Sequence, residues 1–419
     1  MAHLNTATVL TRILAGVLTS KAIAVLIGVE GMALIGNLRN FLSAIQSSAI
    51  LGFYNGLVKY ISQVKDDVVE LSKTLSTAFY LGFVSTLLMS FTCYYNADFI
   101  NNILFSRTYN YGYVIKVLAI ALPFYSLNMF CFAILNGFSK YRMLLVINII
   151  GQVLGLGITL LLIHQHNIDG ALVSAVITPS LLVLMTFVAI MNQRSLVSSV
   201  KISNMRLGVL KKFVPFAVMA LVSAIAVPLI SIIIRNYIID VVGIKEAGYW
   251  EAMNRISDYY LMFIMSMMSL YFLPRFSEIE SKSEFRREVF NFYKTIVPYF
   301  AGGLLVIYLL RSIIVPLIFS DDFQPTEELF AWQLLGDFVK VLSFVIAYQF
   351  IAKRMFWHFI IIEIFLVCML YLTSIYLIDD YGVKGAVIAH FISYILFYGV
   401  VLLIFGSSLF GVLPDNKQE

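Results

Sequence analysis

Apolar runs of roughly 20 residues recur along this chain, separated by short polar clusters, and a run of that length is what a helix needs to cross about 30 Å of hydrocarbon. Of 419 residues 60% are hydrophobic and 13% charged, against roughly a quarter charged in soluble domains. No water-soluble core could absorb that much apolar surface. Each span must be helical, because in hydrocarbon every backbone polar group has to be satisfied within its own segment. A membrane β-barrel would show alternation over about 10 residues instead of long runs. The expected fold class is an all-α polytopic membrane protein with about twelve transmembrane helices in two pseudo-symmetric six-helix bundles.

The runs centre on Thr6 to Val29, Met32 to Ile61, Thr74 to Tyr95, Val114 to Phe138, Met143 to His164 and Ala171 to Met191 in the first half. In the second they centre on Val214 to Ile234, Tyr249 to Leu273, Phe290 to Leu310, Phe330 to Ile351, Phe356 to Leu377 and Gly385 to Phe405. Met1 to Leu4 lack a charged segment and a small-residue cleavage site, so the first run is expected to be a retained helix. Lysine and arginine accumulate on the cytoplasmic side of membrane proteins. Arg194, Lys201, Arg206, Lys211 and Lys212 follow span six, and Arg275, Lys282, Arg286 and Arg287 follow span eight. The opposite loops carry Asp321, Asp322, Glu327, Glu328, Asp379 and Asp380. Even-numbered spans should therefore end in the cytoplasm, with both termini cytoplasmic. The expected organisation is a six-helix bundle over 1–195, a basic cytoplasmic linker over 196–212 and a second bundle over 213–419.

A weak repeat supports two halves. Arg39 and Lys59 align with Arg255 and Arg275 at a shift of 216, and the Gly170-Ala171 opening of span six aligns with Gly385-Ala386 at 215. Two bundles in parallel topology would be related by an axis along the membrane normal, with a cavity between them.

Ionisable side chains inside spans cost about 2.5 to 3.5 kcal/mol on insertion scales, so each is a functional candidate. They are Arg12 and Lys21 in span one, Arg39 in span two, Arg255 and Asp258 in span eight, Asp337 and Lys340 in span ten, and Glu363 in span eleven. Arg39 and Arg255, facing one cavity, would suit a diphosphate, which a guanidinium fork binds bidentately; snorkelling to the headgroups is the alternative. Arg255 with Asp258, and Asp337 with Lys340, are three residues apart and share a helix face, so structural ion pairs also fit. Glu363 has no basic neighbour at helical spacing, and burial would make its neutral form accessible; it could equally be a protonated group bonding a neighbouring helix. Lys59, Lys73, Lys140 and Lys353 are explained by helix ends. His164 and His166 read as exposed turn residues, and His358 and His390 have no clear partner in sequence. Prolines Pro215 and Pro228 in span seven could make a hinge or a static kink.

Cys93, Cys131 and Cys368 lie in or beside apolar runs as small hydrophobes, with no disulfide framework or metal site. The formal charge of +5 sits at helix ends, which argues against nucleic acid as a partner. No phosphate-cradling glycine loop, zinc signature or G-x-S-x-G motif is present, so no cofactor is expected.

Ser20 to Gly31 together with Asn37-Leu38-Arg39-Asn40, and Phe330 to Val341 with its core Gly336-Asp337-Phe338-Val339-Lys340, resemble Wzx-type O-antigen flippases. The second block is also similar to the flippase of enterobacterial common antigen. Ile256-Ser257-Asp258 and the Tyr271 to Arg275 region extend the resemblance over the whole chain. It implies the polysaccharide branch of the MOP exporter superfamily, with a twelve-helix, two-lobed, MATE-like fold. It implies further a non-enzymatic transporter in the bacterial inner membrane that moves undecaprenyl-diphosphate-linked O-antigen repeat units to the periplasmic leaflet by alternating access, coupled to an ion gradient. Arg39, Arg255, Lys21, Arg12 and Lys340 would engage diphosphate and sugar; Glu363, Asp337 and Asp258 would couple the ion. Membrane lipids surround such a protein, and the O-antigen polymerase and chain-length regulator are candidate partners. Common-antigen or capsule units are alternative cargo. A cation or drug antiporter would need cavity acids to outnumber bases, and a membrane-embedded polymerase or glycosyltransferase would need larger loops.

Overall fold

The structure is a computed structural model that describes residues 2–105, 109–191, 200–206, 208 and 210–410, with the side chains of 2–5, 191, 210–213, 215 and 216 set aside. Arg194 and residues 196–199 of the expected basic linker lie outside the described residues, as do the side chains of Lys211 and Lys212.

Every regular element among the described residues is helical. The first helices are α1 (Ala2–Leu26), α2 (Gly28–Ala49), α3 (Phe53–Val64), α4 (Val68–Tyr95), α5 (Ala97–Phe105), α6 (Gly112–Gly137), α7 (Tyr141–Met191) and α8 (Leu210–Val241). Then come α9 (Ile244–Met267), a π-helical turn (Met268–Phe272), α10 (Leu273–Glu278), α11 (Lys282–Thr295), α12 (Val297–Leu309) and α13 (Arg311–Ile318). A 3-10 segment (Asp321–Leu329) leads into α14 (Phe330–Ala352), α15 (Phe356–Tyr381), α16 (Val383–Ile404) and the short α17 (Gly406–Phe410). Ten of the described helical stretches are long and apolar enough to cross a membrane, and α2 with α3, bent by 42°, add an eleventh. The 51-residue α7 is two helices joined across a kink at Asn167. Twelve spans result, as the run lengths require. Leu14, Leu88, Phe91, Val188, Leu305 and Leu403 are among many large apolar side chains left exposed. Hydrocarbon is the solvent that suits such an exterior.

The chain divides into two compact units, residues 1–232 and 233–419, with the division inside α8. In the first unit, Leu57, Ile61, Leu75, Ile134, Leu135 and Ile147 belong to one core. The described part of the connecting stretch is fastened to α4: Lys201 N donates to Ser76 Oγ (3.0 Å), Arg206 N to Thr77 Oγ1 (3.0 Å) and Asn204 Nδ2 to Ser72 Oγ (2.6 Å). The core of the second unit is richer in aromatics, with Phe272, Phe276, Phe285, Phe292, Phe350 and Phe405 packed together.

The backbone makes the repeat far plainer than the residues do. Of the eight described positions with positive φ, six pair at a constant separation of 215: Gly28 with Gly243, Ser139 with Arg354, and Asn167 with Gly382. Ser139 and Arg354 each end a helix through the same reversal, in which Lys140 N donates to Leu135 O and Met355 N to Phe350 O. Asn167 (φ 49°, ψ −124°) and Gly382 (φ 60°, ψ −144°) turn the last hairpin of each half. Just beyond, Gly170 and Gly385 lie so close to the carbonyls of Leu162 and Leu377 that an added Cβ would fall 1.9 and 2.1 Å from the oxygen. The halves differ in their second spans. The first breaks sharply at Leu51 and Gly52 (φ 54° and 63°); the corresponding helix of the second half takes up a π turn at Met268–Phe272. Helix α8 runs continuously through Pro228.

Candidate functional site

The basic candidates of the first unit cluster on α1 and α2, which Gly28 joins in a tight turn. Arg12 lies 14 residues before the last residue of α1 and Arg39 11 residues after the first of α2, so at 1.5 Å per residue they stand roughly 16 to 21 Å along their helices from the turn. Lys21, half-buried, is nearer the turn. Arg39 is therefore deeper than a span beginning at Met32 would place it, because α2 starts four residues earlier. All residues from Gly31 to Leu38 are buried, and Asn37 Nδ2 donates to Leu104 O (2.8 Å), fixing α2 against α5. Arg39 comes immediately after this packed stretch and is exposed, as is Arg12.

Arg255 has a different environment. It is 4% exposed on α9, and its Nε donates to Glu251 Oε1 (3.0 Å). Arg235 of α8, 1% exposed, donates through Nη2 to Glu251 Oε2 (2.6 Å) and stacks its guanidinium 5.1 Å from the Trp250 ring. One carboxylate thus bridges two buried guanidinium groups. Glu251 and Arg235 were missed in sequence because the apolar runs were closed at Ile234 and opened at Tyr249, which put both at interfaces; α8 continues to Val241 and encloses them. The signal was there, since Glu251 and Arg255 are four apart on one helix. The backbone register of 215 aligns Arg39 with Asn254, so the two arginines are one residue, about 100° of helix rotation, out of register. That rotation explains why one is exposed and the other buried.

The remaining candidates surround Asp337, which is fully buried one-third of the way along α14. Its Oδ2 accepts a hydrogen bond from Tyr260 Oη of α9 and another from Gln333 Nε2 (3.3 Å), while His390 Nε2 of α16 lies 3.0 Å from Oδ1. Ser257 Oγ is 3.0 Å from Tyr260 Oη. Lys340, one turn on from Asp337, sets Nζ 5.4 Å from the Tyr394 ring and 5.8 Å from that of Phe344, within electrostatic reach of Asp337 and Asp258. Asp258 is exposed on α9; Glu363, half-buried on α15, acts electrostatically on Tyr394. Asp337 and Lys340 do share a face, but the direct partners of the carboxylate are Gln333 on its own helix and Tyr260 and His390 from helices distant in sequence. Gly336 makes that possible: a Cβ there would sit 2.3 Å from His390 Cδ2 and 3.2 Å from Phe391 Cα.

A buried carboxylate held by a phenol, an amide and an imidazole ties α9, α14 and α16 together at one point. At the 215 register, Gln333, Asp337 and His390 align with Leu118, Leu122 and Ala175 of the first unit. The halves share a backbone, but only the second carries this polar cluster. Arg39, Arg12 and Lys21 are in the first unit; Arg255, Asp258, Asp337, Lys340 and Glu363 are in the second.

Comparison with known proteins agrees with this architecture. The lipid III flippases of Escherichia coli (strain K12) and Shigella flexneri are each 28% identical to the chain over 401 residues, covering 95% of it and 96% of theirs. Among solved structures, an inward-facing multidrug resistance MATE family transporter of the MOP superfamily superposes with a TM-score of 0.71 at 14% identity, over 96% of this chain and 95% of that one. The lipid II flippase MurJ in an inward closed conformation gives 0.70 at 16% identity, over 97% and 87%. These likenesses establish a MOP-type fold for a multi-pass membrane protein. The profile of the family described as polysaccharide biosynthesis protein matches residues 32–328, well over half of the sequence, and the chain belongs to that family.

Proposed function

We propose that this protein is a flippase that moves an undecaprenyl-diphosphate-linked oligosaccharide from the cytoplasmic to the periplasmic leaflet of the bacterial inner membrane, by alternating access, and that its cargo is an O-antigen repeat unit. The observation that carries the proposal is the likeness, over nearly the full length of both chains, to proteins named for flipping a lipid. Exposed Arg39 and Arg12, with Lys21, supply cations at membrane depth in the first unit, where a diphosphate would otherwise be desolvated without a partner. Lys340, half-buried against the Tyr394 and Phe344 rings, is the corresponding cation of the second unit. Arg255, tied to Glu251, contributes through the field of its cluster.

Transport is coupled to an ion gradient, with Asp337, Asp258 and Glu363 as the coupling carboxylates. Asp337 is bonded by Tyr260 of α9, Gln333 of α14 and His390 of α16, Asp258 acts on Lys340 and Glu363 on Tyr394, so ion loading changes the charge balance around Lys340. No nucleotide is needed. The polymerase and the chain-length regulator of the same pathway are proposed as partners.

A second cargo, lipid III of common antigen, is favoured by the names of the two relatives. Deletion of the gene in its own host decides between them. Loss of long-chain surface polysaccharide, with lipid-linked units retained on the cytoplasmic side, is the expected result. Unchanged polysaccharide together with loss of common antigen would transfer the assignment to lipid III, and no change in either would refute the flippase.

A further inference from the structure

The first unit contains a cavity of about 210 Å³ beside the break between α2 and α3, walled by α3, α4 and α6. Its lining is dominated by Phe53, Tyr54, Phe79, Phe83, Phe124 and Phe130, and its polar surface is minimal. Thr86 Oγ1 and Ser126 Oγ at the wall lie 2.9 Å apart and engage each other, and Thr86 Oγ1 also lies 3.0 Å from Ala49 O at the helix break. Phe83 and Phe124 are exposed, and they mark the mouth.

Two alanines of the cavity wall have larger counterparts in the second half. The N-caps Asp67 of α4 and Ser281 of α11 set a register of 214 for these two helices, which aligns Ala78 of the wall with Phe292. At the register of 215 that holds for α6 and α14, Ala133 aligns with Tyr348. Phe292 is 2% exposed in the core of the second unit and Tyr348 packs against that core. The first half has alanine where the second has an aromatic ring, and the space left is the cavity.

An empty apolar cavity destabilises a protein in proportion to its volume, and water does not fill one lined in this way. A benzene-sized group enters an engineered cavity of about 150 Å³, so this larger one accommodates one or two branched five-carbon units. We propose that it binds a segment of polyprenyl chain, the tail of the lipid-linked cargo, an inference that rests on the flippase reading. Isoprene units are flat around their double bonds and carry methyl branches, which suits packing on aromatic faces. They also have fewer rotamers to lose than a saturated acyl chain bent into the same compartment. A tail site in the same unit as Arg39 lets one half of the protein hold both ends of a diphosphate lipid.

The test uses the intact protein in vesicles of phosphatidylethanolamine and phosphatidylglycerol, with undecaprenyl monophosphate bearing a diazirine in its chain. Photo-adducts are expected on the peptides around Phe53, Phe79 to Phe83 and Phe124 to Phe130, displaced by unlabelled undecaprenyl monophosphate and not by added phosphatidylglycerol. Equal displacement by phosphatidylglycerol would identify a bilayer lipid as the occupant and overturn the proposal, as would adducts confined to outward residues such as Leu88 and Phe91. Ala78→Phe with Ala133→Tyr, which copies the second half, should slow flipping of the full-length lipid by about tenfold, what losing burial of about two methylenes amounts to. A short-tailed analogue should be affected less than about twofold. Equal loss for both lipids, or none, would overturn it; if the double variant does not fold, the adduct pattern of the unmodified protein decides. Adducts at the cavity without flipping of any lipid-linked oligosaccharide would instead count against the flippase.

Discussion

Arg39 and Arg255 show how much one residue of helical register decides. In sequence they look like symmetry mates; in the structure Arg39 is exposed beyond a fully packed stretch of α2, and Arg255 is clamped by Glu251 beside Arg235. Arg39→Ala should reduce flipping in proteoliposomes by about tenfold or more, the worth of a charge-assisted contact of roughly 1.5 to 3 kcal/mol. Arg39→Lys tests whether fork geometry matters, because full rescue would leave only a point charge; a normal rate for the alanine variant would remove the diphosphate role. Asp337 calls for two substitutions. Asp337→Ala removes the acceptor of Tyr260 and Gln333 and should cost about 1 to 3 kcal/mol, read as a fall in thermal stability in detergent. Asp337→Asn keeps the shape while removing the charge, so flipping should lose its response to an imposed ion gradient while cargo binding persists. A gradient response equal to that of the unmodified protein would exclude Asp337 from coupling. Asp337 was legible in sequence as a charged group in a span, whereas the role of His390 was not, because its partner is 53 residues away.

At the scale of helices, α14 and α16 meet where Gly336 admits the His390 ring. Gly336→Ala should separate them at a cost of about 1 to 3 kcal/mol and weaken gradient coupling without touching a titratable group; unchanged melting and coupling would mean the contact is looser than described. The two hairpin turns offer a matched pair. Asn167 holds a positive-φ conformation that glycine, at the equivalent Gly382, adopts without strain. Asn167→Gly should raise stability and Gly382→Ala lower it, each by about 1 kcal/mol, and melting temperatures shifting the same way would contradict the shared geometry. Helix existence was readable from apolar run length. The helix breaks were not: the span with two prolines is continuous, while the bend at Leu51 and Gly52 is held from α4, where Ser85 Oγ donates to Ser48 O (3.0 Å). A helix gives up its own hydrogen bonds where another helix replaces them, and that replacement is a property of packing.

For the whole molecule, loop charge sets the expected orientation and span number the parity. We propose that both termini are cytoplasmic and that 1–195 and 213–419 act as the two bundles on either side of the stretch 196–212. A phosphatase reporter active only outside the cytoplasm should be silent when fused after Lys282 or at the C-terminus and active after Phe323; activity at Lys282 would invert the topology. Some twelve spans and an apolar exterior were legible in composition and run length, because hydrocarbon leaves the backbone no choice but helix. The repeat was faint in the residues and plain in the backbone, since a shared turn needs only a shared φ and ψ while its side chains are free to diverge. What folding alone decided was which charges meet. Arg235 with Glu251, Asp337 with His390 and Tyr260, and the aromatic cavity between α3, α4 and α6 all join residues on different helices, and the pairing of helices is set by side-chain fit that no periodicity along a single span records.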